Sequence, residues 1–203
     1  MNRKLVIATL NQGKLAEFEA LLEGSGIQLL SMADFPGMPP IEEDGASFLD
    51  NALIKARKTC AFTRFAALAD DSGLEVDALF CLPGIHSARF APTTTERNAK
   101  LLKLLEDAPD ERRTARFVCA LALVCPDGFE WTARGICEGM IAREPSGSGG
   151  FGYDPLFYYP PLGMTFAEIP LEEKNRISHR GRALQEFKRA VMVNLKVLND
   201  IKL

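Results

Sequence analysis

Only two histidines, His86 and His179, occur in the 203-residue chain. A metal site built from several imidazoles is thereby excluded, and a histidine base has two candidates. The five cysteines, Cys60, Cys81, Cys119, Cys125 and Cys137, include no C-x-x-C pair, so zinc knuckles and thioredoxin-like motifs are missing. Most sit in apolar runs such as Val118-Cys119-Ala120-Leu121 and read as reduced core residues. No stretch approaches the ~18 apolar residues of a membrane span. The run after Met1-Asn2-Arg3-Lys4 is too short for a signal peptide. The expectation is a cytoplasmic protein without membrane contacts. An excess of one charge is also lacking: the net charge of -3 argues against a general nucleic-acid binder.

What is present is a globular mixture, 47% hydrophobic and 25% charged, which excludes disorder, collagen and a pure coiled coil. A chain of this size buries roughly 70% of its unfolded surface and needs no staple. Lys4 to Thr9 reads as a buried first strand, followed by a turn at Asn11-Gln12-Gly13. Leu15, Phe18, Leu21 and Leu22 form a helical stripe ended by Gly24 and Gly26. Ile27 to Leu30 is a second strand and residues 33 to 46 a loop. Ser47 caps a helix whose stripe is Leu49, Ala52, Leu53, Ala56 and Cys60, with Asp50 in a capping-box-like place. Ala66 to Ala69 reads as a short strand ending at Asp70-Asp71-Ser72-Gly73, with Leu74, Val76 and Ala78 in the next strand. Thr93 to Leu105 reads as a helix. Residues 116–124 and 131–143 read as strands joined by a hairpin at Pro126-Asp127-Gly128. Residues 144–164 form a loop region, and a last helix runs from Gly181 to Asn199. The pattern predicts an α/β fold with a mixed sheet, one domain over 1–203 made of two inseparable lobes.

Five segments put polar groups where strands end or helices begin. Thr9-Leu10-Asn11-Gln12-Gly13-Lys14 offers a helix N-terminus and an ammonium, which suits a phosphate, although it lacks the Walker spacing. Glu42-Glu43-Asp44-Gly45 precedes Asn51 and Lys55, which share a helix face at i,i+4. Asp70-Asp71-Ser72-Gly73 places two carboxylates together, a costly arrangement unless a cation or donor meets them. Mg²⁺ favours such oxygens together with substrate phosphates. Gly147 to Pro155 matches G-x-G-x-x-G, but Pro155, Pro160 and Pro161 forbid the helix a dinucleotide site requires. Its glycines still permit close approach of backbone to a ligand, with Phe151 available to stack on a base. Finally, Lys174, His179 and Arg180 place donors near a helix N-terminus, where cations make sense beside an anion or a carbonyl.

Together with Pro83-Gly84-Ile85-His86-Ser87-Ala88-Arg89, these segments resemble, in order and spacing from Ile7 to Leu184, the inosine triphosphate pyrophosphatase family, the XTP/dITP diphosphatases of RdgB type. Leu10 and Asp44 depart from the usual small residue and Thr. The resemblance implies an elongated two-lobed fold with a central mixed sheet flanked by helices, a cleft between the lobes, and a homodimer. It also implies Mg²⁺-dependent hydrolysis of ITP, dITP and XTP to monophosphate and pyrophosphate. Carried onto this sequence, Thr9, Asn11, Lys14 and Lys55 hold the triphosphate. Asp71 is the general base, with Asp70 shaping the site. Glu42, or its neighbour Glu43, joins Asp71 on the metal. Ser72, Phe151, Gly152, Tyr153, Asp154, Lys174, His179 and Arg180 contact the nucleotide, and His86 is structural or cleft-lining. A Maf-like pyrophosphatase acting on other bases and a silent nucleotide-binding protein are the competing readings.

Overall fold

The apolar N-terminal run forms β1 (Arg3–Ile7), and the polar turn after it starts α1 (Gln12–Leu22). The computed structural model describes residues 3–193. There follow β2 (Ile27–Ser31), α2 (Phe48–Thr63), β3 (Ala66–Val76), α3 (Thr94–Leu104), β4 (Thr114–Val124), β5 (Glu130–Ile141), β6 (Phe157–Tyr159), β7 (Met164–Thr165), α4 (Leu171–Ile177) and α5 (His179–Val193). The strands form one seven-stranded sheet in the order β2-β1-β3-β4-β5-β6-β7. β1 pairs in parallel with β2 and β3, whereas β5–β6 and β6–β7 are antiparallel. The sheet is therefore mixed, as expected for an α/β chain with a central hairpin. That hairpin turns where Gly128, at φ +94°, donates to Cys125 O.

Among the described residues the chain divides into two compact units. One is drawn from residues up to Asp71, Cys119–Gly135 and the segment from Gly181; the other from Ser72–Val118 and Ile136–Arg180. β3, β4 and β5 each contribute residues to both. The first unit has its own core of Leu5, Ile7, Phe18, Leu68, Leu121 and Phe187. The second packs Leu74, Leu101, Phe117, Ile141, Phe157 and Phe166. Four cysteines are buried, as their apolar runs predict, but Cys81 is exposed. Burial pushes the Cys125 thiol up to about 12, so it is inert at neutral pH.

Three expectations fail. The stretch 144–164 is not all loop, since β6 and the first residue of β7 lie inside it. The Asp70–Gly73 segment is no strand end: β3 continues through it for 11 residues. Lysine and amide partners meet the carboxylates where they stand, so the strand need not turn toward water. The charged stretch before the last helix is itself helical. Pro170 precedes α4, and extended Ser178 separates it from α5, which starts at His179 rather than Gly181. The predicted end of that helix at Asn199 lies outside the described residues. No helix among them is long and apolar enough to cross a membrane.

Candidate active site

The first unit gathers lysines and carboxylates around the middle of β3. The chain leaves β1 through a tight polar turn in which the Thr9 hydroxyl accepts from Asn11 N–H at 3.1 Å. Asn11 then caps α1, its Oδ1 accepting from Lys14 N–H at 3.1 Å. These bonds fix Lys14, whose Nζ lies 3.1 Å from Asp70 Oδ2. The Asp70 carboxylate is fully buried.

α2 supplies the second lysine. Ser47 caps it by accepting from Asp50 N–H, and one helical turn then puts Asn51 and Lys55 on one face. Both meet Asp71. Asn51 Nδ2 donates to Asp71 Oδ2 at 3.0 Å, and Lys55 Nζ lies 3.3 Å from Asp71 Oδ1 and 2.9 Å from Glu43 Oε2. The adjacent aspartates thus engage different lysines, as alternation along a strand predicts.

Burial lifts the Asp71 carboxyl above the ordinary carboxylate range, and Glu43 pushes the same way. Lys55, Lys14 and the Asn51 amide oppose the shift without cancelling it. Burial works against the Lys55 charge as well, but Asp71, Asp70 and Glu43 outweigh it and hold that ammonium above the usual lysine range. Mutual repulsion between Asp71 and Glu43 is what a hard divalent cation relieves, so these oxygens fit Mg²⁺. Among the described residues no cluster of three or more His, Cys, Asp or Glu could hold a metal. Glu42 is exposed, whereas Glu43 is the glutamate in contact with the shared lysine.

The second unit contains the other set. Asp154 Oδ2 accepts from Phe151 N–H at 2.7 Å and pairs with Lys174 Nζ at 2.6 Å. Gly150, at φ +68°, lies so close that a Cβ there would be 2.1 Å from Asp154 Oδ2. Gly150 is therefore required by the loop's own folding around a buried carboxylate, whereas a Cβ on Gly152 would meet nothing within 4 Å. Phe151 is half-buried, with Lys174 Nζ 5.0 Å and Arg180 Cζ 5.7 Å from its ring centre. Arg180 also donates to the Ser72 hydroxyl at 3.1 Å. The His179 ring stacks on Phe117 at 4.7 Å. Gly152 O accepts from Asn98 Nδ2 at 3.3 Å.

Thr9, Asn11, Lys14, Lys55, Asp70 and Asp71 thus fall in one unit. Ser72, Phe151, Gly152, Asp154, Lys174, His179 and Arg180 fall in the other. Tyr153 is turned differently: its hydroxyl donates to Ser87 O at 3.0 Å, and burial raises the phenol to about 12. That hydroxyl is spent inside the protein. His86 is exposed. Sequence reasoning gives no role to Ser87, Asn98 or Phe117. Ser87 lies in a recognisable motif, Asn98 is masked by a helical apolar pattern, and Phe117 carries no signal beyond its strand.

A description of the Ham1 family matches residues 5–190. The chain is 55% identical over 186 residues to the dITP/XTP pyrophosphatase of Desulforamulus reducens, covering 90% of this chain and 92% of that one. It is 52% identical to the dITP/XTP pyrophosphatase of Geobacter sulfurreducens, covering 91% and 94%. Among solved structures, a HAM1 protein from Coxiella burnetii superimposes with a TM-score of 0.85 at 44% identity, covering 94% of this chain and 98% of its own.

Proposed function

Because this chain belongs to the Ham1 family, we infer that it is a nucleoside triphosphate pyrophosphatase that hydrolyses deaminated purine nucleotides, ITP, dITP and XTP, to monophosphate and pyrophosphate. The observation that carries this reading is the set of Lys14, Lys55, Asp70 and Asp71 on β3 and its neighbours, in a chain 55% identical to a dITP/XTP pyrophosphatase.

The substrate brings about four negative charges, so positioning and charge stabilisation dominate the chemistry. Thr9, Asn11, Lys14 and Lys55 hold the polyphosphate. Asp71 takes a proton from the water that attacks the α-phosphorus, and pyrophosphate leaves with the bridging oxygen's electron pair. The raised Asp71 pKa supports a base role, since proton acceptance improves as the carboxylate becomes more basic. Asp70 keeps Lys14 in place. Asp71 and a glutamate of the Glu42–Glu43 pair would hold Mg²⁺, which supplies charge neutralisation on the phosphate oxygens.

Base choice falls to the second unit. Hypoxanthine and xanthine present a 6-oxo acceptor where adenine presents a 6-amino donor. Lys174, His179 and Arg180 carry N–H donors that suit the former. Such a site discriminates by about 10⁴. Pyrophosphate release across ITP, dITP, XTP, GTP and ATP, with Mg²⁺ and with chelator, tests the reading. Deaminated purines should exceed ATP by that order, with no turnover in chelator. Release from dTTP or UTP but not dITP would point to a Maf-like enzyme, and tight ITP binding without turnover to a silent binder.

Phe151 stacks on the base in this reading. Phe151→Ala is expected to raise KM for dITP about 10-fold, with kcat changed less, because one base–aromatic contact is worth ~1–3 kcal/mol. An unchanged KM removes Phe151 from the base pocket. The homodimer implied by the resemblance is checked by sedimentation equilibrium, which should give twice the chain mass, and the cytoplasmic location by cell fractionation.

A further inference from the structure

Asn51 is a polar side chain with no exposed surface, and its two ends face opposite partners. Its Nδ2 donates to Asp71 Oδ2 at 3.0 Å, and its Oδ1 accepts from Gly45 N–H at 2.8 Å. The amide has one workable orientation. A backbone N–H demands the oxygen and a carboxylate demands the NH₂, so a flipped amide would lose both bonds. Its own N–H is tied to Ser47 O at 3.1 Å, inside the cap of α2. The neighbouring loop is fitted around it: a Cβ on Gly45 would sit 2.7 Å from Asn51 Oδ1 and 2.6 Å from Asp50 Cβ.

Asp71 is thereby divided between two donors, with Oδ2 on the amide and Oδ1 on the Lys55 ammonium. A carboxylate with only the lysine could rotate about its χ2 bond, which is broad for an aspartate. Asn51 removes that freedom and, through Gly45, anchors the loop that carries Glu42 and Glu43.

We propose that Asn51 is the positioning residue of this enzyme: it locks the rotamer of Asp71 and docks the Glu42–Gly45 loop against it, so that both sets of carboxylate oxygens keep one arrangement. This rests on the role given to Asp71 above. It assigns Asn51 no contact with substrate; the residue acts through its two neighbours.

Asn51→Ala is expected to lower kcat for dITP about 10- to 100-fold, the usual effect of losing the partner that orients a functional ligand, with KM changed less than threefold. Gly45→Ala, which keeps the amide but crowds its oxygen, should give the same split. A variant that melts earlier yet turns over at the wild-type rate per folded molecule would reduce Asn51 to a packing residue and overturn the proposal. So would a Gly45→Ala enzyme with unchanged kcat. The two claims separate through unfolding in denaturant, which needs no activity. The effects of Asn51→Ala and Asp71→Asn on the unfolding free energy should be non-additive, whatever the sign of each, as for contacting residues. If wild type releases no pyrophosphate from dITP, the functional reading fails while that cycle still judges the Asn51–Asp71 coupling. Additive effects would sink the coupling whatever the activity.

Discussion

Replacing Asp71 with asparagine is expected to cut pyrophosphate release from dITP by about 10³-fold while leaving a folded protein whose Tm, in chelator, is at or above that of wild type. The two halves of this result have one cause. Asp71 carries its charge at the middle of a buried strand, where burial raises its pKa above the ordinary 3.8 even with Lys55, Lys14 and Asn51 in place. For a carboxyl whose folded pKa is raised, stability is greatest while the group is protonated. It falls as pH rises from 3.8 through the folded pKa, and above that window the charge is a net cost. Asparagine removes the charge and, with it, both the proposed base and the cost; Lys55 keeps Glu43. Active sites commonly hold such unfavourable groups because function requires them. Calorimetry in EDTA and steady-state kinetics decide the matter. A lower Tm would contradict the electrostatic account, and turnover near wild type would remove Asp71 from the chemistry.

Lys174→Met should be the most destabilising of the site substitutions. The Lys174–Asp154 pair is almost fully buried, its side chains 3% and 4% exposed. Methionine fills similar space but leaves the Asp154 carboxylate without its ammonium, a change worth about 3–5 kcal/mol. For a chain of this length that corresponds to a Tm lower by roughly 10 °C. Asp154 also accepts from Phe151 N–H, so the loop carrying the proposed stacking ring loosens too, and KM should rise more than kcat falls. Adding Asp154→Leu to Lys174→Met should restore much of the Tm without restoring KM, because an apolar pair can replace a buried ion pair in stability but not in recognition. Restoration of both would show that the pair serves stability alone.

Much of this molecule is readable from sequence. The β1 run, the Asn11 turn, the Ser47 cap, the Pro126–Gly128 hairpin and the shared face of Asn51 and Lys55 all appear where periodicity and capping chemistry put them. Each rests on residues within about four positions of one another, where backbone geometry alone fixes the relation. The identity of the charged residues is legible too, since uncompensated carboxylates and lysines stand out against an apolar pattern.

What each charge meets is a different matter. Whether Asp70–Gly73 ends a strand depends on donors from α1 and α2. Gly150 looks like a residue made for a ligand until Asp154 is folded beneath it. Tyr153 spends its hydroxyl on Ser87, 66 positions away in sequence, and Arg180 reaches Ser72 across 108. The sequence by itself determined an α/β chain with a mixed sheet, and it singled out the residues proposed to handle a polyphosphate, a cation and a purine. Only the tertiary structure decided that Lys14 answers Asp70, that Lys55 and Asn51 divide Asp71, and that Lys174 is paired with Asp154. Local patterns set backbone conformation over a few residues, whereas the partner of a buried charge is chosen by whichever distant segments the sheet and helices bring within hydrogen-bond reach.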